Sequence, residues 1–256
     1  MKLLIVQKEP HLANIDANLK IIENSIKEQK VQIELAIFPE MFLTGYMIRD
    51  KFYCLVQNEN TVHIKKLKKI ARKYKTALIC GAPFEDSHIK GKIYNTALYI
   101  TPTEKLFTQE KVYVPNFGPF EELLYFTAGK ESKVYSLNEH KLGIQICYDL
   151  SFPEVSKSQA LNGAELLICI SASPSSSRTV FEKLCFARAI ENCCYLIYCN
   201  LVGTELNLVF WGGSRVVDPR GEIIGEIEPY KEGTLLVDID MDVLKFSRKM
   251  RPTLRD

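Results

Sequence analysis

Cysteine 147 ends an apolar alternating run, Ile144-Gln145-Ile146-Cys147, and a polar, proline-bearing segment follows at once: Tyr148-Asp149-Leu150-Ser151-Phe152-Pro153-Glu154. A strand that ends on a thiol and turns there presents sulfur beside free backbone N–H groups, which is what a thiolate attacking a carbonyl requires. Upstream, Leu35-Ala36-Ile37-Phe38-Pro39-Glu40 repeats the plan with a carboxylate, the proline stopping the strand. Between them Glu110-Lys111 puts an amine at a third strand end, ahead of the loop Val112-Tyr113-Val114-Pro115-Asn116-Phe117-Gly118-Pro119-Phe120-Glu121-Glu122. Acid, amine and thiol at strand ends form a set suited to covalent attack on a carbonyl: a base for the thiol proton, a cation for the oxyanion, and sulfur as the carrier.

These segments resemble the Glu, Lys and Cys motifs of the nitrilase superfamily, the carbon–nitrogen hydrolases. The likeness extends over the whole chain, through Ser171-Ala172-Ser173-Pro174, Ala187-Arg188-Ala189-Ile190-Glu191-Asn192 and Gly212-Gly213-Ser214-Arg215-Val216-Val217-Asp218-Pro219-Arg220-Gly221. The resemblance implies a four-layer α-β-β-α sandwich, an α/β fold, and hydrolysis of a linear amide. It implies Glu40 as general base, Lys111 as electrostatic stabiliser and Cys147 as nucleophile. A second glutamate is implied in the loop after Lys111; Glu122 takes that place, with Glu121 the alternative one residue away. Tyr148-Asp149 resembles the amidase branches better than the nitrile-cleaving branch, which usually has tryptophan and glutamate there.

An ordinary thiol, with pKa near ~8.5, is only a few per cent ionised at neutral pH, so Cys147 needs a base. The expected course is a tetrahedral adduct, a thioester with loss of ammonia or an amine, and release of an acid by water. The backbone N–H of Tyr148 would complete an oxyanion hole with Lys111. Candidate substrate-binding residues are Tyr148, Phe117, Ser173 and Arg178. Arg178 is placed to take a substrate carboxylate, with an ordinary surface arginine as the competing reading. Glu154 suits the first turn of a helix. The loop 115–122 also resembles the glutaminase domain of glutamine-dependent NAD synthetases, whose synthetase half is absent here, so ω-amides are one substrate class and N-carbamoyl amines or amino acids another. A non-catalytic or ammonia-supplying partner subunit is the reading from a different class.

Composition restricts partners. A net charge of +2, with 33 Lys and Arg against 31 Asp and Glu, gives no electrostatic footprint for nucleic acid. The run Lys65, Lys66, Lys68, Lys69, Arg72, Lys73 reads as the solvated face of a helix that buries Ile64, Leu67 and Ile70. No cofactor or metal is called for: the eight cysteines form no CxxC pair and four histidines are dispersed. The first apolar run is too short for a signal peptide or a membrane span, and a cytoplasmic enzyme without membrane association is expected.

The elements that must position these residues follow from periodicity. Helices are expected over 12–26, 62–74, 154–161 and 179–192, and strands at the N-terminus and over 33–38, 77–81, 94–100, 106–111, 165–170 and 195–200. Further strands are expected at 208–211, 214–218, 222–226 and 234–239, with Asp218-Pro219-Arg220-Gly221 as a hairpin turn. No linker divides the chain, so residues 1–256 read as one domain. The resemblance implies a homodimer or larger oligomer, for which the tail from about 244 to 256 is a candidate arm.

Overall fold

The computed structural model describes residues 1–255. Its first half runs β1 (Lys2–Gln7), α1 (Ile15–Lys27), β2 (Leu35–Ile37), the single turn α2 (Phe52–Leu55), α3 (Val62–Tyr74), β3 (Ala77–Glu85), β4 (Ile93–Ile100) and β5 (Leu106–Glu110). The second half runs β6 (Val134–Leu137), β7 (His140–Ile146), α4 (Pro153–Leu161), β8 (Leu166–Ser171), α5 (Arg178–Asn192) and β9 (Tyr195–Asn200). It continues through β10 (Val202–Glu205), β11 (Leu208–Trp211), β12 (Arg215–Val217), β13 (Ile223–Glu226), β14 (Gly233–Asp238) and α6 (Met241–Met250).

Two six-stranded sheets result, ordered β14-β1-β2-β3-β4-β5 and β13-β12-β9-β8-β7-β6, with β10-β11 as a separate hairpin. Each sheet has a parallel centre, β1-β2-β3 in one and β7-β8-β9 in the other, flanked by antiparallel strands. The two-residue period of a strand assigns its faces. Leu3, Ile5, Leu35 and Ile37 join Leu142, Ile144, Leu166 and Ile168 in the core that includes the sheet–sheet interface. Their neighbours Leu4, Val6, Ala36 and Leu78 turn outward, against Leu19 and Ile22 of α1 and Ile64 and Leu67 of α3. On the other side α4 and α5 contribute Ala160, Phe181, Cys185 and Ala189. The layers are therefore α, β, β, α, as expected.

Local signals set the helix ends. Asn14 caps α1, its side chain accepting from the Ala17 N–H, so Leu12 lies outside the helix that its spacing suggested. Helix α3 stops where Lys75 turns left-handed. Its lysines do face solvent, and Lys66 and Lys73 pair across with Asp16 and Glu23 of α1. Among the described residues, no helix is long and apolar enough to cross a membrane.

The periodicity reading left out α2, β6, β10 and α6. The last of these gives the C-terminal tail a helix. Asp240 caps α6 through the Asp242 N–H, and Leu244 and Ser247 are buried. Arg248 reaches the Cys193 carbonyl at 3.1 Å. Beyond α6, Thr253 donates to the Glu191 carbonyl at 3.1 Å and accepts from Lys157 at 3.0 Å through its own. Residues 244–253 thus fold back onto α4 and α5 of their own chain, and Asp256 lies outside the described residues.

Candidate active site

Glu40, Lys111 and Cys147 lie just past the C-terminal ends of β2, β5 and β7. The parallel strands β2, β3, β7 and β8 all end at one edge of the sandwich, and the antiparallel β4 and β5 bring Asn95 and Lys111 to the same edge. The face-to-face sheets then join there. The Ala172 N–H at the end of β8 donates to Glu40 Oε2 at 2.6 Å, although Glu40 belongs to the other sheet.

The ammonium of Lys111 is fully buried and donates to Glu40 Oε1 at 2.8 Å and to Glu122 Oε1 at 2.6 Å. Asn95 Nδ2 donates to the same two carboxylates, at 2.7 Å to Glu40 Oε1 and 3.1 Å to Glu122 Oε2. The Tyr46 hydroxyl donates to Glu122 Oε1 at 2.6 Å. Between the two glutamates of the loop, Glu122 is the buried one, while Glu121 is exposed. The Glu122 side lies against a cavity of about 30 Å³, room for roughly one water, bordered by Tyr46, Arg49, Pro119 and Tyr125.

Close approach holds the Glu40 backbone in place. Gly81 of β3 donates to the Pro39 carbonyl at 3.0 Å and accepts from Leu43 at 3.1 Å. A Cβ on Gly81 would sit 2.2 Å from Met41 N and 2.6 Å from Glu40 Cα, so only glycine fits against that turn.

Cys147 opens a 3₁₀ turn over Cys147–Ser151 and has a left-handed φ of 47°. That is a costly conformation for a residue bearing a Cβ, and it requires the surroundings to fix it. Asp149 does so: its carboxylate accepts from Ile146 N at 3.1 Å, Val112 N at 3.1 Å and Tyr113 N at 2.8 Å. One side chain therefore ties the Cys147 turn to the strand end that carries Lys111.

The charges interact strongly. Burial would lower the pKa of Lys111, but Glu122 and Glu40 outweigh it and hold the ammonium well above its ordinary range. Burial pushes the Glu122 carboxyl up; Lys111 opposes this and Glu40 adds to it. Two carboxylates around one ammonium leave a negative charge that Lys111 alone does not compensate, and the donors Asn95, Tyr46 and Ala172 meet it with hydrogen bonds. For Cys147, burial and then Glu40 raise the thiol, while Lys111 and a Ser171 hydrogen bond lower it. The resting sulfur is a thiol. Burial pushes Asp149 up to about 7 against its N–H donors.

Around this cluster lies an aromatic rim. Tyr148 packs edge-on to Phe117 at 5.3 Å and to Phe152 at 5.0 Å, and Phe120 meets Phe117 and Tyr46. Phe117 is exposed and Tyr148 partly buried. Ser173 is buried beside Ala172, donating its N–H to Asn200 and accepting from Trp211 Nε1 at 3.4 Å. Arg178 starts α5, pairs with Glu182 at 3.0 Å and lies over the rings of Trp211 and Tyr230. Its charge is thus already engaged, and among the described residues no hydrogen bond or ion pair joins it to Glu40, Lys111, Glu122 or Cys147. Glu154 is exposed and accepts from the Tyr113 hydroxyl. No group of three or more His, Cys, Asp or Glu among the described residues is arranged to hold a metal ion.

Sequence reasoning missed Asn95, Tyr46 and the anchoring work of Asp149. Asn95 carried a signal, an amide amid the strand run Ile93-Tyr94-Asn95-Thr96-Ala97-Leu98; a buried amide in a strand must have partners.

A family model described as carbon-nitrogen hydrolase matches residues 3–249. Omega-amidase NIT3 of Saccharomyces cerevisiae is 30% identical over 257 residues, covering 94% of this chain and 86% of its own. The glutamine-dependent NAD(+) synthetase of Thermotoga maritima is 33% identical over 248 residues, 94% of this chain but only 42% of the synthetase, so this chain spans less than half of that relative. Among solved structures, an amidase from Nesterenkonia sp. superposes with a TM-score of 0.83 at 30% identity, covering 98% of this chain and 94% of that one.

Proposed function

Since the chain belongs to the carbon-nitrogen hydrolase family, we propose that it cleaves a linear ω-amide of glutamine type through a thioester on Cys147. The observation that carries this reading is the buried ammonium of Lys111, held between Glu40 and Glu122 beside a thiol at a strained turn. Glu40 takes the thiol proton as sulfur adds to the amide carbonyl. Lys111 and the N–H of Tyr148 receive the oxyanion, a contribution of roughly 3–4 kcal/mol per donor where one has been removed from an enzyme. The adduct collapses with breakage of the C–N bond, and the leaving nitrogen takes the proton back from Glu40. Water, deprotonated by Glu40, then attacks the thioester; the acid leaves and sulfur regains its proton. Glu122 positions Lys111 throughout.

Two similarities support the ω-amide class: one relative is described as an omega-amidase and another as a glutamine-dependent synthetase. We propose further that the chain assembles as a homodimer or larger oligomer. Ammonia release from a panel of ω-amides, ureido acids and nitriles tests the function, with Cys147→Ala as control. Release from ω-amides, lost in the variant, is expected. Activity surviving in Cys147→Ala refutes the nucleophile, and turnover confined to ureido acids or nitriles refutes the substrate class.

A further inference from the structure

We infer that Glu205, on the β10-β11 hairpin outside both main sheets, is a positioning residue for the active site, acting through Tyr46 on Glu122. The inference rests on the proposed amide hydrolysis and adds a long-range support to it. Glu205 is 2% exposed, and its Oε2 accepts from the N–H groups of Tyr46 at 2.8 Å and Met47 at 2.7 Å. These two bonds fix the segment 159 residues away in sequence that carries the Tyr46 hydroxyl to Glu122. Glu205 Oε1 is buried with no hydrogen-bond partner. A stranded carboxylate oxygen is costly and is retained only where the other oxygen holds something of value.

The hairpin supports the same point in two further ways. Phe210 of β11 meets the Tyr46 ring edge-on at 5.9 Å, so side chain and backbone of Tyr46 are held from one element. Phe210 also bridges to Pro174, and Ser175 donates to the Val209 carbonyl. That segment follows Ala172, whose N–H holds Glu40. Glu205 thus sits in a clamp between the segment presenting Tyr46 and the segment presenting a donor to Glu40. Removing the two backbone bonds frees Tyr46 to tilt, and Glu122 loses the third of its donors beside Lys111 and Asn95.

The test is a double-mutant cycle between Glu205→Leu, which removes the acceptor of both N–H groups, and Tyr46→Phe, read in two ways. The first readout is kcat and KM for amide hydrolysis. The second is the alkylation rate of Cys147 by iodoacetamide in a Cys54→Ser background, which does not depend on the substrate assignment; Cys54 is the exposed cysteine. Loss of a hydrogen bond to a charged group corresponds to about a tenfold to hundredfold fall in kcat with KM little changed. Each single variant should show such a fall and a slowed alkylation, and the double variant should be no worse than Tyr46→Phe alone. Additive losses, or a folded Glu205→Leu with normal kcat and normal alkylation, overturn the inference. If Glu205→Leu does not fold, Glu205→Asp, shorter by one methylene, is read by the same cycle. Failure of wild-type protein to cleave any amide refutes the proposed function, while the alkylation cycle still decides the role of Glu205.

Discussion

Gly81→Ala adds one methyl group that touches no substrate, yet it should disable the enzyme. The new Cβ would stand 2.2 Å from Met41 N and 2.6 Å from Glu40 Cα, both backbone atoms. Ordinary contact needs about 3.4 Å or more, so the Glu40 turn must retreat by about an ångström, because close-packed surroundings leave strand β3 no room to recede. The Glu40 carboxylate is fixed by three short bonds, from Lys111 at 2.8 Å, Asn95 at 2.7 Å and Ala172 at 2.6 Å. A shift of that size takes bonds of this length outside hydrogen-bond range. An ångström of misplacement costs about a hundredfold in rate, and the overpacking about 1–3 kcal/mol of stability. Single-turnover acylation, followed by release of the amine, should therefore fall about a hundredfold with KM little changed, alongside a lowered melting temperature. A folded Gly81→Ala protein with wild-type acylation would refute the claim that this contact places the base.

Other perturbations probe separate parts of the structure. Lys111→Met leaves Glu40 and Glu122 facing each other without a cation; activity should be lost, with about 3–5 kcal/mol of stability at pH 8 that returns as acid protonates the pair, and a pH-independent melting temperature would contradict this. Burial holds Asp149 and Glu205 up to about 7, above their unfolded values of 3.8 and 4.5, with Glu9 adding to the effect at Glu205. The folded state therefore binds more protons than the unfolded one in this window, so stability is lost as pH rises through 7 and regained as it falls. Going from pH 8 to pH 6 should add about 1.4 kcal/mol per group, and Glu205→Gln should remove one share, measured by denaturant titration. Deleting residues 252–256 should expose Cys193, whose sulfur contacts the Arg251 carbonyl and the Thr253 hydroxyl, to alkylation, and unchanged labelling would refute that covering role. Light scattering of the full chain should give a multiple of its 29.3 kDa, and a monomer would refute the proposed assembly.

Much of the site was legible because its residues stand next to punctuation. Pro39 marks where β2 stops and Glu40 begins the turn, and the alternation Ile144-Gln145-Ile146 runs straight into Cys147. The sheets were legible for the same reason: strands buried on both faces read as apolar runs such as Leu166-Leu167-Ile168-Cys169-Ile170. Helix α6 was hidden because its apolar side is narrow. Leu244 is buried, but Phe246 and Met250 are exposed among lysines and arginines, which makes the segment look like a charged tail. The strand β10, Val202-Gly203-Thr204-Glu205, is half polar and contains a glycine, and its pairing partner β11 is what makes it a strand. Least legible were the residues whose meaning is a distant partner. Asn95 and Glu40 are 55 residues apart, and Glu205 and Tyr46 are 159 apart; no local pattern records either bond.

The distribution of cysteines shows what distinguishes the proposed nucleophile. Burial pushes Cys80, Cys147, Cys169, Cys185 and Cys199 all upward, so low acidity is common to them and Cys147 is no more ionised at rest than its packed relatives. Cys185 also has a cation and a carboxylate near it, Arg215 and Glu182; what sets Cys147 apart is its left-handed turn at a strand end, with φ 47°, beside the buried Lys111 and Glu40, the proposed acceptor for its proton. A group that keeps the thiol protonated until substrate arrives, and then removes the proton in the step that forms the C–S bond, couples reactivity to occupancy. The same burial that makes a free thiolate unfavourable strengthens the pull of Lys111 on an oxyanion, because both effects arise from a poorly solvated site. In the proposed mechanism, protection of the resting sulfur and stabilisation of the adduct are thus one physical property, set by where the two sheets close over the ends of β2, β5 and β7.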